Sequence, residues 1–172
     1  MESFLPNGYA PQESDTSSKY LKIKQGDNLV RILSKPILGY CAWKDKKPVR
    51  IKTIEEAKKH QNMDANFKEF WALVVYSYDN QCISVWEITQ KTILKAITNL
   101  VKDKTWGSPL GYDLKITRTG EEMNTEYNVN PYPHKDVPKE ITELYNNTSI
   151  NLNNLYEGED PFSSDNNNDL PF

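Results

Sequence analysis

A chain of 172 residues and 19.9 kDa, 37% hydrophobic with a mean hydropathy of -0.74, suits one domain, leaves no room for two good cores, and is polar enough that part of it is expected to be disordered. Its longest clean apolar run, residues 71–76, is too short to cross a bilayer; residues 1–15 lack the pattern of a secretion signal; Cys41 and Cys82 make no disulfide framework; a soluble cytoplasmic protein is expected. The net charge of -3 conceals a division: residues 19–155 carry 21 basic against 16 acidic side chains, while residues 1–18 and 156–172 hold three and five acids and no Lys or Arg.

Residues 1–18, with Pro, Gly, Ser and Asn and no periodicity, read as a flexible arm. Residues 29–43 are β-rich but contain Pro36 and Gly39, which suggests a bent or bulged strand at a barrel corner. Residues 44–47 form a polar loop, and 48–52 alternate apolar and basic as a short strand does. Thr53 and Glu56 have capping-box spacing and predict a short helix over 54–60. Two aromatic and β-branched runs, 67–78 and 82–88, flank Asp79-Asn80 and predict a hairpin. Its register pairs Tyr78 with Gln81, Tyr76 with Ile83 and Leu73 with Trp86. One face then carries Trp71, Leu73, Val75, Trp86 and Ile88; the other carries Phe70, Ala72, Val74, Tyr76, Tyr78, Ile83 and Val85. Both faces are apolar, so the hairpin is either buried on both sides or presents a binding platform.

Residues 90–102 predict the best helix, with Thr89 as N-cap and Ile93, Leu94, Ile97, Leu100 and Val101 as its apolar stripe. Trp106-Gly107-Ser108-Pro109 ends it. Residues 112–119 alternate as a strand, Gly120 turns toward a last strand over 125–129, and 137–147 form a weak final helix. From Asn146 the chain is Asn/Asp-rich, and its last seventeen residues read as disordered. The fold expected is mainly β: five or six strands in an OB-fold-like barrel with an inserted helix at about 90–102. The division is an arm at 1–18, a folded domain at 19–147 and a tail at 148–172.

Three constellations carry chemistry. Residues 39–52 place Tyr40 and Trp43 beside Lys44, Lys46, Lys47, Arg50 and Lys52, and residues 19–52 as a whole hold ten Lys/Arg against Asp27 and Asp45. Single-stranded nucleic acid needs cations for its phosphates and flat rings for its bases. Trp43 alone fits a core position as well as a stacking one. The second is Phe70, Tyr76 and Tyr78 on one hairpin face, with Arg31 and Lys35 on an earlier strand; Tyr78, beside the turn, is the hardest of the three to bury. The third is the tail, in which Asp160-Pro161-Phe162 returns as Asp169-Leu170-Pro171-Phe172. Its charges can occupy a basic groove, and its last aromatic, with a terminal carboxylate, can fill a pocket on a partner.

No catalytic set is present. His60 and His134 are far apart, neither cysteine has a CxxC or HxxxH neighbour, and phosphate-loop and nucleophile-elbow motifs are missing. No enzyme activity, metal or cofactor is expected.

The chain resembles tailed-phage single-stranded DNA-binding proteins of the replication type. The matching stretches are residues 26–33, 39–43 with 47–50, 106–120 and 125–127, and the ending Asp169-Leu170-Pro171-Phe172 is similar to the Asp-Ile-Pro-Phe tip of the bacterial proteins of this kind. The resemblance implies an OB-fold body that coats single-stranded DNA without sequence preference in phage replication and recombination. It also implies a tail that recruits replication proteins such as polymerase or helicase-primase, a host-cell cytoplasmic location, and room for a homodimer. Some phage relatives carry a zinc-ligand cluster, and this chain does not. An RNA-binding OB module of cold-shock type and a tail-driven interaction adaptor are the alternatives.

Overall fold

The computed structural model describes residues 20–44, 47–53, 55 and 67–162. Among them run β1 (Gly26–Ile32), β2 (Ile37–Lys44), β3 (Lys47–Ile51), β4 (Lys68–Ser77), β5 (Cys82–Ile88), α1 (Lys91–Lys102), β6 (Asp113–Thr119), β7 (Glu126–Pro131) and α2 (Lys139–Asn146), with a late 3-10 helix at Leu152–Glu157. The expected arm lies outside these residues, as do 163–172 and, Glu55 apart, the helix expected over 54–60.

The ten-residue β4 organises an antiparallel sheet. One edge pairs with β5 over residues 71–77. The other edge is shared: β2 takes residues 68–72 and β1 takes 75–77. β1 continues through β6 to β7, and β2 continues to β3, so the path runs β3-β2-β4-β1-β6-β7. Among the described residues this path does not close on itself. Of the expected architecture, the structure shows the mainly β character and the helix inserted between β5 and β6.

β1 and β2 are one stretch of chain bent over residues 33–36. The bend leaves Val74 between two partners, and local groups satisfy it. Leu33 donates its amide to the Val74 carbonyl (2.8 Å), and the Val74 amide donates to the Ser34 hydroxyl (2.9 Å). Pro36 sits in this corner, where it has no ladder bond to give. Gly39 does not: it lies inside β2, where a Cβ would meet the Ile51 carbonyl and come within 2.9 Å of the Phe70 ring.

The β4–β5 hairpin has the expected register, Tyr76 with Ile83 and Leu73 with Trp86, and divides its faces as expected. Both faces are covered. Leu73, Val75, Trp86 and Ile88 join Val30, Ile32, Leu114 and Ile116 beneath Ile93, Leu94 and Ile97 of α1. Gln90, one residue later than expected, is the helix N-cap, and no side-chain bond caps it. Val101 is 49% exposed, so the stripe is buried only in its first two turns.

A second, smaller core lies on the opposite face. Phe70, Ala72 and Val85 are covered by Leu155, with Ile150, Leu152, Tyr156 and Phe162 packed around them. Room for two cores therefore exists, because one sheet supplies a wall to each. The tail expected from 148 is ordered as far as Phe162. Its asparagines act as turn formers: Asn151 Oδ1 accepts the Asn153 amide (3.1 Å), and Asn154 Nδ2 donates to the Asp160 carbonyl (3.1 Å). Pro161 is buried, and Phe162 meets Tyr20 edge-on at 6.3 Å. Tyr20 and Leu21 also cover the free edge of β5, where the Leu21 amide donates to the Val85 carbonyl (2.9 Å).

Candidate nucleic-acid interface

The β2–β3 hairpin pairs Trp43 with Pro48, Cys41 with Arg50 and Lys44 with Lys47. Directly opposed residues share a face. Trp43, Pro48 and Arg50 therefore lie on one side, and Tyr40 and Lys47 on the other, so the pleat divides the first constellation. Trp43 is 65% exposed and half-buried Tyr40 is not its neighbour. Lys47 and Lys52 are exposed, and the Lys52 ammonium stands 5.1 Å from the centre of the Tyr156 ring. Lys46 and the Lys44 side chain lie outside the described residues.

Arg50 is engaged otherwise than expected. Its guanidinium forks onto Glu87 of β5, Nε to Oε2 at 2.6 Å and Nη2 to Oε1 at 2.9 Å. Burial works against this cation, but the bond to Glu87 and its charge more than offset that, and the pKa rises. Arg50 is thus neutralised within the fold rather than held out for a phosphate. Burial and then Glu87 push the nearby Cys41 thiol up, away from its reactive thiolate form. Trp43, Pro48 and Arg50 line a cleft of about 450 Å³ whose far wall includes Glu159 and Asp160. Two acids of the tail, Glu159 and Asp160, therefore share a cleft with the hairpin. Burial, followed by Asp160, raises the pKa of Tyr20 in the same cleft.

At the other end of this face the second constellation is also rearranged. Arg31 is 1% exposed and unavailable to a phosphate. The β1–β6 register sets it opposite Asp113, and its Nη1 lies 3.4 Å from Asp113 Oδ1. Its Nη2 donates to the carbonyls of Leu110 (2.8 Å) and Lys135 (2.7 Å). Phe70 is fully buried in the second core and cannot stack on a base. Tyr76 and Tyr78 remain half-buried and meet edge-to-face at 5.1 Å. The Tyr78 hydroxyl donates to Asp113 Oδ1 (3.0 Å), and burial together with this bond pushes its pKa up to about 12. The Lys135 ammonium stands 3.2 Å from Asp113 Oδ2. Lys35 is exposed in the bend between β1 and β2.

The strand pairings add residues that sequence reasoning missed. Lys115 lies opposite Leu29 and Asn130, on the face of Tyr76 and Arg31. Tyr132, 38% exposed, follows β7 with its amide on the Asp113 carbonyl (2.9 Å). Alternation along residues 112–119 placed Lys115 on the polar side of its strand, but nothing local says which strand lies beside it.

The face thus has an aromatic at each end, Trp43 and the Tyr76–Tyr78 pair, with residues 150–162 covering its middle. Several residues of the resemblance are structural here. The Asn28 side chain is buried and ties the Lys24 backbone to the Ile116 carbonyl. Trp106 stacks on His134 at 5.6 Å and meets Tyr112 edge-on. Among the described residues, no group of three or more His, Cys, Asp or Glu could hold a metal ion, and no helix is long and apolar enough to cross a membrane. Asp169, Leu170, Pro171 and Phe172 lie outside those residues. Comparison with protein-family models, with curated proteins and with solved structures finds no match.

Proposed function

We propose that the protein binds single-stranded DNA without sequence preference. It would coat and protect the strand in phage replication and recombination, in the manner of an OB-fold body with an acidic, partner-recruiting tail. The observation that carries this reading is Trp43: an indole 65% exposed at a hairpin whose register opposes Lys44 to Lys47. Apolar surface of that size serves stacking better than it serves stability, and the Lys44–Lys47 pair stands at the same hairpin end on the other side of its pleat. Tyr76, Tyr78 and Tyr132, with Lys115 on the same face, extend the platform. Among the described residues, Lys35, Lys47 and Lys52 are the exposed cations of the original set, and Arg31 and Arg50 hold the fold together.

Titration of the full chain with oligo-dT, followed by tryptophan fluorescence, tests the reading. Trp43→Ala is expected to cost roughly 1–3 kcal/mol of binding with an unchanged circular dichroism spectrum. Wild-type affinity in that variant removes the supporting observation. Preference for oligo-U over oligo-dT favours the RNA-binding alternative, and no binding to either at low salt favours the adaptor.

A further inference from the structure

The bend between β1 and β2, the C-terminal end of α1 and the turn before β6 leave an apolar cleft between them. Its volume is about 270 Å³, and its walls include Ile32, Pro36, Trp71, Val101, Pro109 and Leu110. Val101 and Leu110 are 49% and 37% exposed, and Leu38, opposite Trp71 in the β2–β4 ladder, is 53% exposed. Apolar surface gathered like this marks a docking site. The volume falls short of the usual range for a small-molecule pocket and suits one or two side chains. The rim is basic: Lys35 lines the cleft, and exposed Lys102 and Lys104 follow Val101. Asp103, between them, already accepts the amides of Thr105 (2.7 Å) and Trp106 (3.4 Å).

We propose that this cleft is the receptor for the chain's own segment Asp169-Leu170-Pro171-Phe172. Residues 163–172 contain one apolar cluster, Leu170-Pro171-Phe172, and two acids, Asp165 and Asp169, which complement apolar walls with a lysine rim. The body already accepts the same chemistry once. Asp160-Pro161-Phe162 is seated on the opposite side of the sheet, with Pro161 buried and Phe162 against Tyr20. Phe172 follows Phe162 by ten residues, a reach of at most about 33–36 Å, and a tether that spans the distance raises the local concentration into the millimolar range, where weak apolar contacts suffice. A partner that takes Phe172 then has to compete with this cleft. Outside the described residues, Phe4-Leu5-Pro6 is the competitor to be tested.

The test uses the full chain without nucleic acid, so its failure leaves the DNA-binding reading intact. Phe172→p-benzoylphenylalanine is irradiated and the cross-linked peptides are mapped. Cross-links to Trp71 or to residues 109–110 are expected. Leu110→Asp or Val101→Asp, both at exposed positions, should lower their yield at least tenfold with an unchanged circular dichroism spectrum, while Lys91→Asp leaves it as it was. Cross-links confined to other surfaces, a yield indifferent to Leu110→Asp, or capture of the cleft by a Phe4→p-benzoylphenylalanine chain but not by the Phe172 one would each overturn the proposal.

Discussion

At the scale of single residues, Asp113 gathers the charges of its end of the sheet. It is 2% exposed and receives Arg31, Tyr78 and Lys135 together. Removing it leaves a buried guanidinium without its counter-ion, and such losses cost about 3–5 kcal/mol. Asp113→Ala should therefore lower the urea midpoint severely, as should Arg31→Ala. Had Arg31 been a phosphate contact, Arg31→Ala would instead weaken DNA binding and leave the midpoint unchanged. Tyr78 gives the same cluster a pH signature. Its pKa is raised from 10.0 to about 12 in the folded protein, so the folded state favours the neutral phenol. That contribution to stability is fully present below about pH 10 and is lost as pH rises toward about 12. An absorbance titration of tyrosinate should show a late-ionising group that disappears in Tyr78→Phe.

At the scale of elements, the segment from Ile150 to Phe162 is a lid on one face of the sheet rather than the start of a free tail. A chain that ends at Leu155 loses Tyr156, Pro161 and Phe162 from the second core, and should be less stable by on the order of 2–4 kcal/mol. A chain that ends at Phe162 should melt like the full protein. It should also bind DNA more tightly at low salt, because Asp165 and Asp169 no longer compete for the cations. Thermal melts and oligo-dT titrations of the two truncations separate these effects. The elements differ in how legible they were. The β4–β5 hairpin could be read because its turn is local and its alternation has period two. Of the candidate site, Trp43, Lys47, Lys52, Tyr76 and Tyr78 keep accessible surface. Arg31 and Arg50 could not be judged, because their acids lie 82 and 37 residues away and only the assembled sheet brings them together. The lid was hidden for another reason: Asn-rich composition describes a coil and a chain of tight turns equally well.

At the scale of the whole molecule, charge is the feature to test. Ten Lys/Arg fall within residues 19–52, and two of them, Arg31 and Arg50, are consumed internally. The rest suffice for several phosphate contacts. For single strands, affinity falls with salt at a log–log slope of about -0.7 per phosphate, so roughly three to six contacts give a slope of about -2 to -4. A flat response in a salt series would remove the electrostatic part of the mechanism. The placement of the lid has a last consequence, in the time order of synthesis. Phe70, Ala72 and Val85 emerge from the ribosome long before Leu155, which covers them. At about 5–20 residues per second, the roughly 85 residues between Phe70 and Leu155 take about 4–17 s to make. Once α1, β6 and β7 have followed, the nascent sheet shows one finished face and, until Leu155 arrives, one bare apolar face. Its vulnerability to aggregation is therefore set by translation speed, and slowing the ribosome between codons 85 and 155 should lower soluble yield without altering the finished protein.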